Sequence, residues 1–274
     1  MKKICIAILM GAFALASVFA GGSLENAQTR SAAPYTIEVG GSTSVTPLME
    51  KFAEAYARVK PHIKININPT GSGDGIKNAG VLYQIGMSSR ELTPAEQGQG
   101  LRGDVVAIDG IAVIVNSSSP LSGLSLEQIR DIYTGAVTDW SQVTRGVKKG
   151  RIAVVSREAG SGTRGAFEEL VGFKNLVAGA NESTSTGAIK SGIAQNADAI
   201  GYISLGSLDP SVKALAVGGV EAAVANVVNK TYKLARPFIL LSKDGAHAES
   251  KAFLEWTMSP AGQAVVKTNW IPVK

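Results

Sequence analysis

The sequence contains few cysteine, histidine or aromatic residues. Among its 274 residues there are one cysteine and two histidines, and aromatic residues make up 6%. The single cysteine, Cys5, lies near the N-terminus, so the rest of the chain must fold without disulfide bonds. The histidines, His62 and His247, belong to no recognisable metal-ligand cluster, and no Gly-x-Ser-x-Gly motif occurs. These absences argue against a metalloenzyme or a serine hydrolase and predict no metal, no cofactor and no catalytic activity.

Clusters of one charge and long apolar segments are also missing. The chain carries 27 basic and 22 acidic residues, scattered along its length, for a formal net charge of +5. This small excess predicts mild attraction of anions and no nucleic-acid partner. The apolar run from Ile4 to Ala16 is shorter than the roughly 20 residues that a membrane-spanning helix needs, and no later stretch is long enough either.

That apolar run is part of a secretory signal pattern. Residues 1–20 begin with two lysines, continue through the run and finish in Val18-Phe19-Ala20, which suits signal peptidase. We predict that residues 1–20 are cleaved, that residues 21–34 form a flexible polar leader, and that the mature protein is periplasmic. Because Cys5 precedes the cleavage site, the mature protein would carry no lipid-anchor cysteine.

Beyond residue 34, apolar residues recur alternately at strand spacing and at helical spacing, which predicts an α/β fold. Strands are predicted over residues 35–39, 63–67, 84–86, 105–108, 111–115, 152–155, 199–203 and 238–241. Helices are predicted over residues 46–59, from 75 onward, and over 125–133, 163–170, 187–195, 248–258 and 260–267. Ser125 and Gln128 have the spacing of a capping box at the start of one of these helices.

Three turns rich in hydroxyl groups and glycine each follow a predicted strand and open a predicted helix. They span residues 41–47, with Thr43 and Ser44; 70–77, with Ser72 and Asp74; and 157–165, with Arg157, Ser161, Gly162 and Thr163. Backbone N–H groups at a helix start lack partners and suit an anion, and an arginine can donate two parallel hydrogen bonds to an oxyanion. The respective alternatives are ordinary N-capping, a tight turn and a solvated arginine. Three such turns in one chain favour anion binding.

A fourth segment, residues 85–90, ends a predicted strand in Ser88, Ser89 and Arg90. Either serine could donate a hydrogen bond to the same anion. Arg90 has two interpretations, as a polar residue at the protein surface or as a partner of Asp74. The segment therefore adds hydroxyl donors to those of the three turns.

In their order and separations, the four segments resemble the phosphate-binding proteins that serve the bacterial phosphate-specific ABC transporter. The most specific part is the Arg-x-x-x-Ser-Gly-Thr sequence from Arg157 to Thr163. The resemblance implies a type II periplasmic-binding-protein fold, in which two α/β lobes are joined by a two-strand hinge and the ligand cleft lies between them. Lobe I would comprise residues 35–112 plus 237–274, and lobe II would comprise residues 113–236.

The resemblance also implies a function and a set of ligand residues. The protein would capture inorganic phosphate as a monomer and deliver it to the membrane permease of a phosphate ABC transporter. The residues that match the family's phosphate ligands are Thr43, Ser44, Ser72, Arg157, Ser161, Gly162 and Thr163.

One position departs from the family pattern. Some members have an aspartate where this chain has Ser89, and that carboxylate accepts the proton that monohydrogen phosphate carries and sulfate lacks. We count Ser89 as a ligand residue, and Asp74 is the nearest substitute for the missing acceptor. Hydroxyls, backbone amides and one arginine suit any tetrahedral oxyanion, so sulfate and molybdate are alternative ligands, and a secreted phosphatase is a more distant alternative.

Overall fold

The computed structural model describes residues 33–274. The predicted signal peptide lies outside the described residues, as does the predicted leader apart from its last two residues. The strands of the described part are β1 (Tyr35–Gly41), β2 (Ile63–Pro69), β3 (Ile85–Ser88), β4 (Leu101–Asn116), β5 (Gly123–Leu124), β6 (Ala153–Arg157), β7 (Asn181–Ser183), β8 (Ala199–Ser204), β9 (Val212–Ala214), β10 (Ala216–Val217) and β11 (Ala235–Lys243). Its helices are α1 (Thr46–Val59), α2 (Ser72–Asn78), α3 (Pro94–Gln97), α4 (Leu126–Thr134), α5 (Gly162–Val171), α6 (Thr186–Gln195), α7 (Val224–Val228), α8 (Ala248–Thr257) and α9 (Pro260–Val266). None of these helices is both long and apolar enough to cross a membrane.

Nine of the described strands form one sheet, and β5 and β10 pair separately. The order in the large sheet is β2-β1-β3-β11-β4-β8-β6-β7, and β9 pairs with β4. Strand β1 runs parallel to β2 and β3, whereas β11 is antiparallel to β3 and β4. Parallel neighbours require a crossover connection, and α1 and α2 supply it between β1, β2 and β3. The α/β class predicted from the sequence is confirmed.

The helix starts largely agree with the sequence prediction. Gln128 N donates to Ser125 Oγ at 3.1 Å and Ser125 N donates to Gln128 Oε1 at 2.8 Å, so the predicted capping box is present. Helix α2 begins at Ser72, three residues before the predicted start at Gly75. Gly71, at a φ of 100°, makes the turn into this helix with a backbone conformation that residues with side chains rarely adopt.

Strand β4 is longer than the sequence predicted. Two strands were expected, over residues 105–108 and 111–115, but β4 runs unbroken for 16 residues. The polar residue between the two predicted strands, Asp109, remains in the strand because its carboxylate pairs with Arg236, its register partner on β11. Two neighbouring antiparallel strands therefore run through the middle of the sheet.

The hydrophobic core is divided along these two strands. One cluster is built mainly from β1, β3, α1 and α8, and another mainly from β8, α4 and α5. Along β4, Ala107 belongs to the first cluster and Ile111 to the second. At the start of β11, Leu234 belongs to the second cluster and Phe238 to the first. The chain thus passes between the clusters twice, while the lobe limits given by residues 35–112, 113–236 and 237–274 stay a prediction.

Candidate functional site

The predicted turns and the segment 85–90 meet in one place, together with the start of α6. Seven side chains from these segments form a hydrogen-bonded group, which we call the hydroxyl cluster. Its members are Ser42, Thr43, Ser44, Ser72, Ser89, Thr163 and Thr186. None of the seven residues is more than 9% exposed. Ser42, Thr43 and Ser44 connect β1 to α1 on the side of the first core cluster, whereas Thr163 lies in α5, which packs in the second.

One part of the hydroxyl cluster links the first turn to α5 and α6. Ser44 Oγ lies 2.7 Å from Thr163 Oγ1 and 3.0 Å from Thr186 Oγ1. Thr43 Oγ1 lies 3.3 Å from Thr186 Oγ1, and it accepts a hydrogen bond from Thr186 N at the same distance. The hydroxyls of Thr43 and Ser44 therefore face the two helices of the other side.

A second part of the cluster consists of serines alone. Ser42 Oγ donates to Ser89 Oγ at 2.9 Å, and Ser89 Oγ lies 3.3 Å from Ser72 Oγ. Ser89 N donates to Ser72 Oγ at 3.2 Å. The two parts are joined because Ser44 N donates to Ser42 Oγ at 3.3 Å.

The first turn does not cap its helix through a side chain. The N-cap residue of α1 is Val45, and no side chain in this turn makes a capping hydrogen bond to the helix. Ordinary N-capping, the alternative considered for Thr43 and Ser44, is therefore wrong. Their hydroxyls are free to serve the cluster instead.

The third turn approaches the second one very closely. Gly73 N donates to Gly160 O at 2.9 Å across the two turns. A methyl group on Gly162 would collide with the Ser72 side chain and would lie 2.9 Å from Ser89 Oγ. Ser161 is buried and caps α5, with its Oγ accepting from Arg164 N at 3.3 Å. Gly162 thus has the role of allowing close approach, and Ser161 stabilises the helix start beside the cluster.

Arg157 is buried and reaches the cluster with one nitrogen. Its side chain is 2% exposed, so the alternative of a solvated arginine is wrong. Nε and Nη2 donate to the two carboxylate oxygens of Glu158 at 2.9 Å each, and also to the backbone oxygens of Ser183 and Thr184. Nη1 donates to Thr186 Oγ1 at 3.5 Å. Because Glu158 occupies the edge that carries Nε and Nη2, it is Nη1 that faces the hydroxyl cluster.

A buried tyrosine supports the strand that carries Arg157. Tyr202 OH accepts from Arg157 N at 3.3 Å and lies 2.8 Å from Ser156 Oγ. Burial raises the pKa of Tyr202 to about 12, so the phenol stays neutral at ordinary pH. It therefore holds the end of β6 in place without adding a negative charge next to the cluster.

Asp74 makes its hydrogen bonds away from the hydroxyl cluster. Thr70 Oγ1 donates to Oδ2 at 2.6 Å, Tyr83 OH donates to the same oxygen at 2.9 Å, and Asn78 Nδ2 donates to Oδ1 at 2.7 Å. The Thr70 hydrogen bond, together with those from Tyr83 and Asn78, lowers the pKa of Asp74. Within residues 33–274 no hydrogen bond joins Asp74 to a member of the cluster, so the observed contacts give no support to its predicted role as a ligand residue.

Arg90 has a partner that the sequence did not suggest. Its Nη1 and Nη2 donate to the two carboxylate oxygens of Glu96 at 2.8 Å each, so the interpretation of Arg90 as a partner of Asp74 is wrong. Asp74 instead accepts hydrogen bonds from Thr70, Asn78 and Tyr83. The stem of Arg90 also lies close to Gly165 on α5, so this residue contributes a contact between the two sides.

Two residues of the hydroxyl cluster were not predicted as ligand residues. Ser42 belongs to the first turn, but only Thr43 and Ser44 were selected there. Thr186 follows the run Ser183-Thr184-Ser185 and begins α6. A run of hydroxyl residues at a helix start was the criterion that selected the first turn, and the same criterion identifies Thr186.

The two histidines lie apart from this site. His62 is partly buried, with Nε2 3.6 Å from Glu249 Oε1. His247 is exposed, stacks on Tyr35 at a centroid distance of 4.1 Å and caps α8. In residues 33–274 no group of three or more His, Cys, Asp or Glu residues could hold a metal ion.

Comparison with known proteins identifies solved structures that resemble this chain. An X-ray structure with bound phosphate, of a Clostridium perfringens protein assigned as a phosphate ABC transporter substrate-binding protein, is 46% identical, with a TM-score of 0.84. The match covers 88% of this chain and 100% of that one. An ABC-type phosphate transport receptor from Vibrio cholerae is 34% identical, with a TM-score of 0.71, and the match covers 87% and 100% of the two chains. These matches confirm the predicted α/β fold of the periplasmic binding proteins, with which a two-lobed arrangement is consistent.

Curated sequences agree with the structures. The phosphate-binding protein PstS of Bacillus subtilis is 28% identical over 290 residues, which cover 99% of this chain and 94% of the relative. The phosphate-binding protein PstS 2 of Streptococcus agalactiae is 42% identical over 110 residues, or 40% of this chain, and this chain spans only 38% of that relative's length. A family model described as a PBP superfamily domain matches residues 26–261. From the extent of these matches, the chain belongs to the PBP superfamily and, within it, to the PstS-like phosphate-binding proteins.

Proposed function

We propose that this chain is an extracytoplasmic substrate-binding protein that captures inorganic phosphate and delivers it to the permease of an ABC transporter. The observation that carries the proposal is the buried hydroxyl cluster, which Arg157 Nη1 joins from β6. Relatives that share the fold include a protein with bound phosphate and an ABC-type phosphate transport receptor. The ligand residues would be Thr43, Ser44, Ser72, Ser89, Arg157, Ser161, Gly162 and Thr163, with Thr186 added.

The chemistry of the site suits an oxyanion. An anion that leaves water needs hydrogen-bond donors around all its oxygens, and it needs an opposite charge nearby. The cluster offers seven hydroxyl groups, each of which can rotate to donate, and Arg157 offers a charged N–H group. Because every member is buried, the site fits a small inorganic anion better than an ester with an organic group.

The position of the cluster suggests how binding and closure are coupled. Ser44 comes from the side of the first core cluster, and Thr163 and Thr186 come from helices of the other side. An anion that accepts hydrogen bonds from hydroxyls of both sides would favour the closed form, in which the two sides lie together. The ligand would shift that equilibrium only by the difference in its affinity for the open and closed forms.

Among the observed contacts of residues 33–274, no carboxylate explains a preference for phosphate over sulfate. Within residues 33–274, no carboxylate makes a hydrogen bond to a member of the hydroxyl cluster, and Glu158, the neighbour of Arg157 in the chain, is engaged by Arg157. A hydroxyl can accept the proton of monohydrogen phosphate, but it can equally donate to sulfate. Sulfate and molybdate therefore remain the competing ligands, and the phosphate assignment is supported by the relatives.

Calorimetric titration of phosphate-free protein with phosphate, sulfate and molybdate tests the ligand. We expect phosphate to bind most tightly; sulfate binding as tightly as phosphate would contradict the assignment. The phosphatase alternative would be supported by turnover of phosphoesters by the purified protein. Uptake of labelled phosphate by cells with and without the gene tests delivery, and N-terminal sequencing of the exported protein tests cleavage after residue 20.

A further inference from the structure

A buried ion pair lies where β4 and β11 pass between the two core clusters. Arg236 donates to Asp109 Oδ2 through Nε at 3.3 Å and through Nη2 at 3.2 Å. Both side chains are 1% exposed. The two residues are register partners on the strands that pass between the clusters. Because burial of two charges is a poor way of adding stability, the pair at this position points to a role other than stability.

The third nitrogen of Arg236 reaches the segment that carries a cluster serine. Arg236 Nη1 donates to the backbone oxygen of Ser89 at 3.2 Å. Ser89 in turn makes hydrogen bonds to Ser42 and Ser72 through its side chain and to Ser72 through its N–H group. The guanidinium thus holds the backbone at the end of the 85–90 segment, at the residue whose hydroxyl belongs to the cluster.

The same pair is also connected to the other side of the molecule. Ser204 Oγ donates to Asp109 Oδ1 at 2.9 Å, and Gly206 N donates to the same oxygen at 3.4 Å. Ser204 ends β8, whose residues pack in the second core cluster. Asp109 and Arg236 therefore join the end of β8 to Ser89 through three consecutive hydrogen bonds.

The geometry requires an arginine. Arg236 uses Nε and Nη2 for Asp109 and Nη1 for Ser89, so the bonds to the two partners diverge from one rigid, planar group. A lysine carries its charge on a single nitrogen at the end of a flexible stem, so it could keep the ion pair but could not hold both partners in this fixed arrangement.

We propose that Arg236 is a positioning residue of the anion site. It sets the position of Ser89 relative to the strands that join the two sides, and so it determines whether the Ser89 hydroxyl meets Ser42 and Ser72. This inference rests on the proposed function, because its consequence is measured as phosphate affinity.

The test is a double-mutant cycle on phosphate affinity, measured by calorimetry with inorganic phosphate. Arg236→Lys alone should weaken binding by about tenfold or more, since it retains the charge but loses the bond to Ser89. In a Ser89→Ala background, where the hydroxyl to be positioned is absent, the same substitution should change affinity by less than about threefold. Ser204→Ala is the matched control, because it disturbs the same ion pair from the other side and should leave affinity within about threefold of the original.

Urea unfolding measures the stability of each variant, and so it distinguishes a loss of positioning from a loss of stability. If Arg236→Lys does not fold, the neutral pair Asp109→Asn with Arg236→Gln replaces it in the same cycle, with the same expected pattern. Affinity equal to that of the original protein, or an equal loss with and without the Ser89 hydroxyl, would overturn the positioning role alone. Failure of the unsubstituted protein to bind phosphate would overturn the proposed function, and this inference with it.

Discussion

The hydroxyl oxygens of Ser44 and Thr163 lie 2.7 Å apart, although 119 residues separate them in the sequence. Ser44 precedes α1, and Thr163 belongs to the first turn of α5. Both residues are buried, so their hydroxyls form hydrogen bonds with each other and with neighbouring groups instead of with water. Folding therefore brings the first and the third turn together at this contact.

Gly162→Ala should weaken phosphate binding by about 10- to 100-fold, because the added methyl group would collide with Ser72 and overpacking of this kind costs roughly 1–3 kcal/mol. The measurement is calorimetric titration with phosphate. Gly160→Ala is the matched control in the same turn, since a methyl group there has no heavy atom within 4 Å. Equal effects of the two substitutions would contradict the close-approach role of Gly162.

Arg157→Ala should reduce phosphate affinity by about 100-fold or more, since charge-assisted hydrogen bonds contribute roughly 1.5–3 kcal/mol each. Removal of the guanidinium also leaves Glu158 without its partner beside the anion. Arg157→Lys should give an intermediate loss, because one nitrogen cannot serve both Glu158 and the cluster. Arg151→Ala, at an exposed position, is the control. Unchanged affinity in Arg157→Ala would remove this arginine from the site.

Thr186→Val should weaken phosphate binding by about tenfold, because it keeps the shape of the side chain and removes a hydroxyl that contributes roughly 1 kcal/mol or more in a buried network. That hydroxyl is within hydrogen-bond distance of Thr43, Ser44 and Arg157. Thr186→Ser should bind nearly as the original does. Thr184→Val, two residues earlier at an exposed position, serves as the control. Normal binding by Thr186→Val would restrict the site to the residues identified from the sequence.

Asp74→Asn should lower stability without altering the preference for phosphate over sulfate. The carboxylate accepts from Thr70, Asn78 and Tyr83, and replacing one oxygen by an amide nitrogen should cost about 1 kcal/mol. Its pKa is lowered in the folded state, so its contribution is present above the unfolded pKa and is lost as pH falls through the folded pKa. Competition titrations with phosphate and sulfate check the preference; a clear loss of selectivity would place Asp74 among the ligand residues after all.

Glu96→Gln should destabilise the protein at pH 7 and have little effect at pH 2. Hydrogen bonds from Arg90 lower the pKa of Glu96 from 4.5 to about 2. A lowered folded pKa means that the stabilisation is complete above pH 4.5 and is lost as pH falls toward 2. Because the pair is partly exposed, we expect about 1–2 kcal/mol at pH 7, less than the full shift implies.

Urea unfolding at several pH values measures this difference. Glu127→Gln is the control, because its pairing with Arg130 is exposed and should contribute less than about 0.5 kcal/mol. A difference between the original protein and Glu96→Gln that persists unchanged to pH 2 would contradict the ionic origin of the effect.

Much of the fold follows from local patterns in the chain. The alternation of strand and helix spacing, the helix start at Thr46 and the capping box at Ser125 all depend on residues close together in sequence, and each was predicted. Short elements such as α3, β7 and β9 were missed, since three or four residues are too few to show a period. Two strands were predicted in place of β4, because an aspartate between apolar residues indicates a strand end when its buried partner is not known.

The candidate site follows from the sequence only in part. Hydroxyl and glycine residues at helix starts are visible in the chain, and four of the seven cluster residues were identified in this way, namely Thr43, Ser44, Ser72 and Thr163, whereas Ser89 was identified at the end of a predicted strand. Local sequence shows where donors for an anion lie because helix starts leave backbone N–H groups unpaired wherever they occur.

The partners of the charged side chains were set by folding. Arg90 pairs with Glu96, Arg157 with Glu158, and Arg236 with Asp109 and Ser89, whereas Asp74 is occupied by its own neighbours. Long side chains take the partners that the packed backbone brings within about 3 Å, and those distances do not exist until the strands have found their register. The sequence thus shows the donors an oxyanion site needs, and the packing of distant segments determines which of them face it.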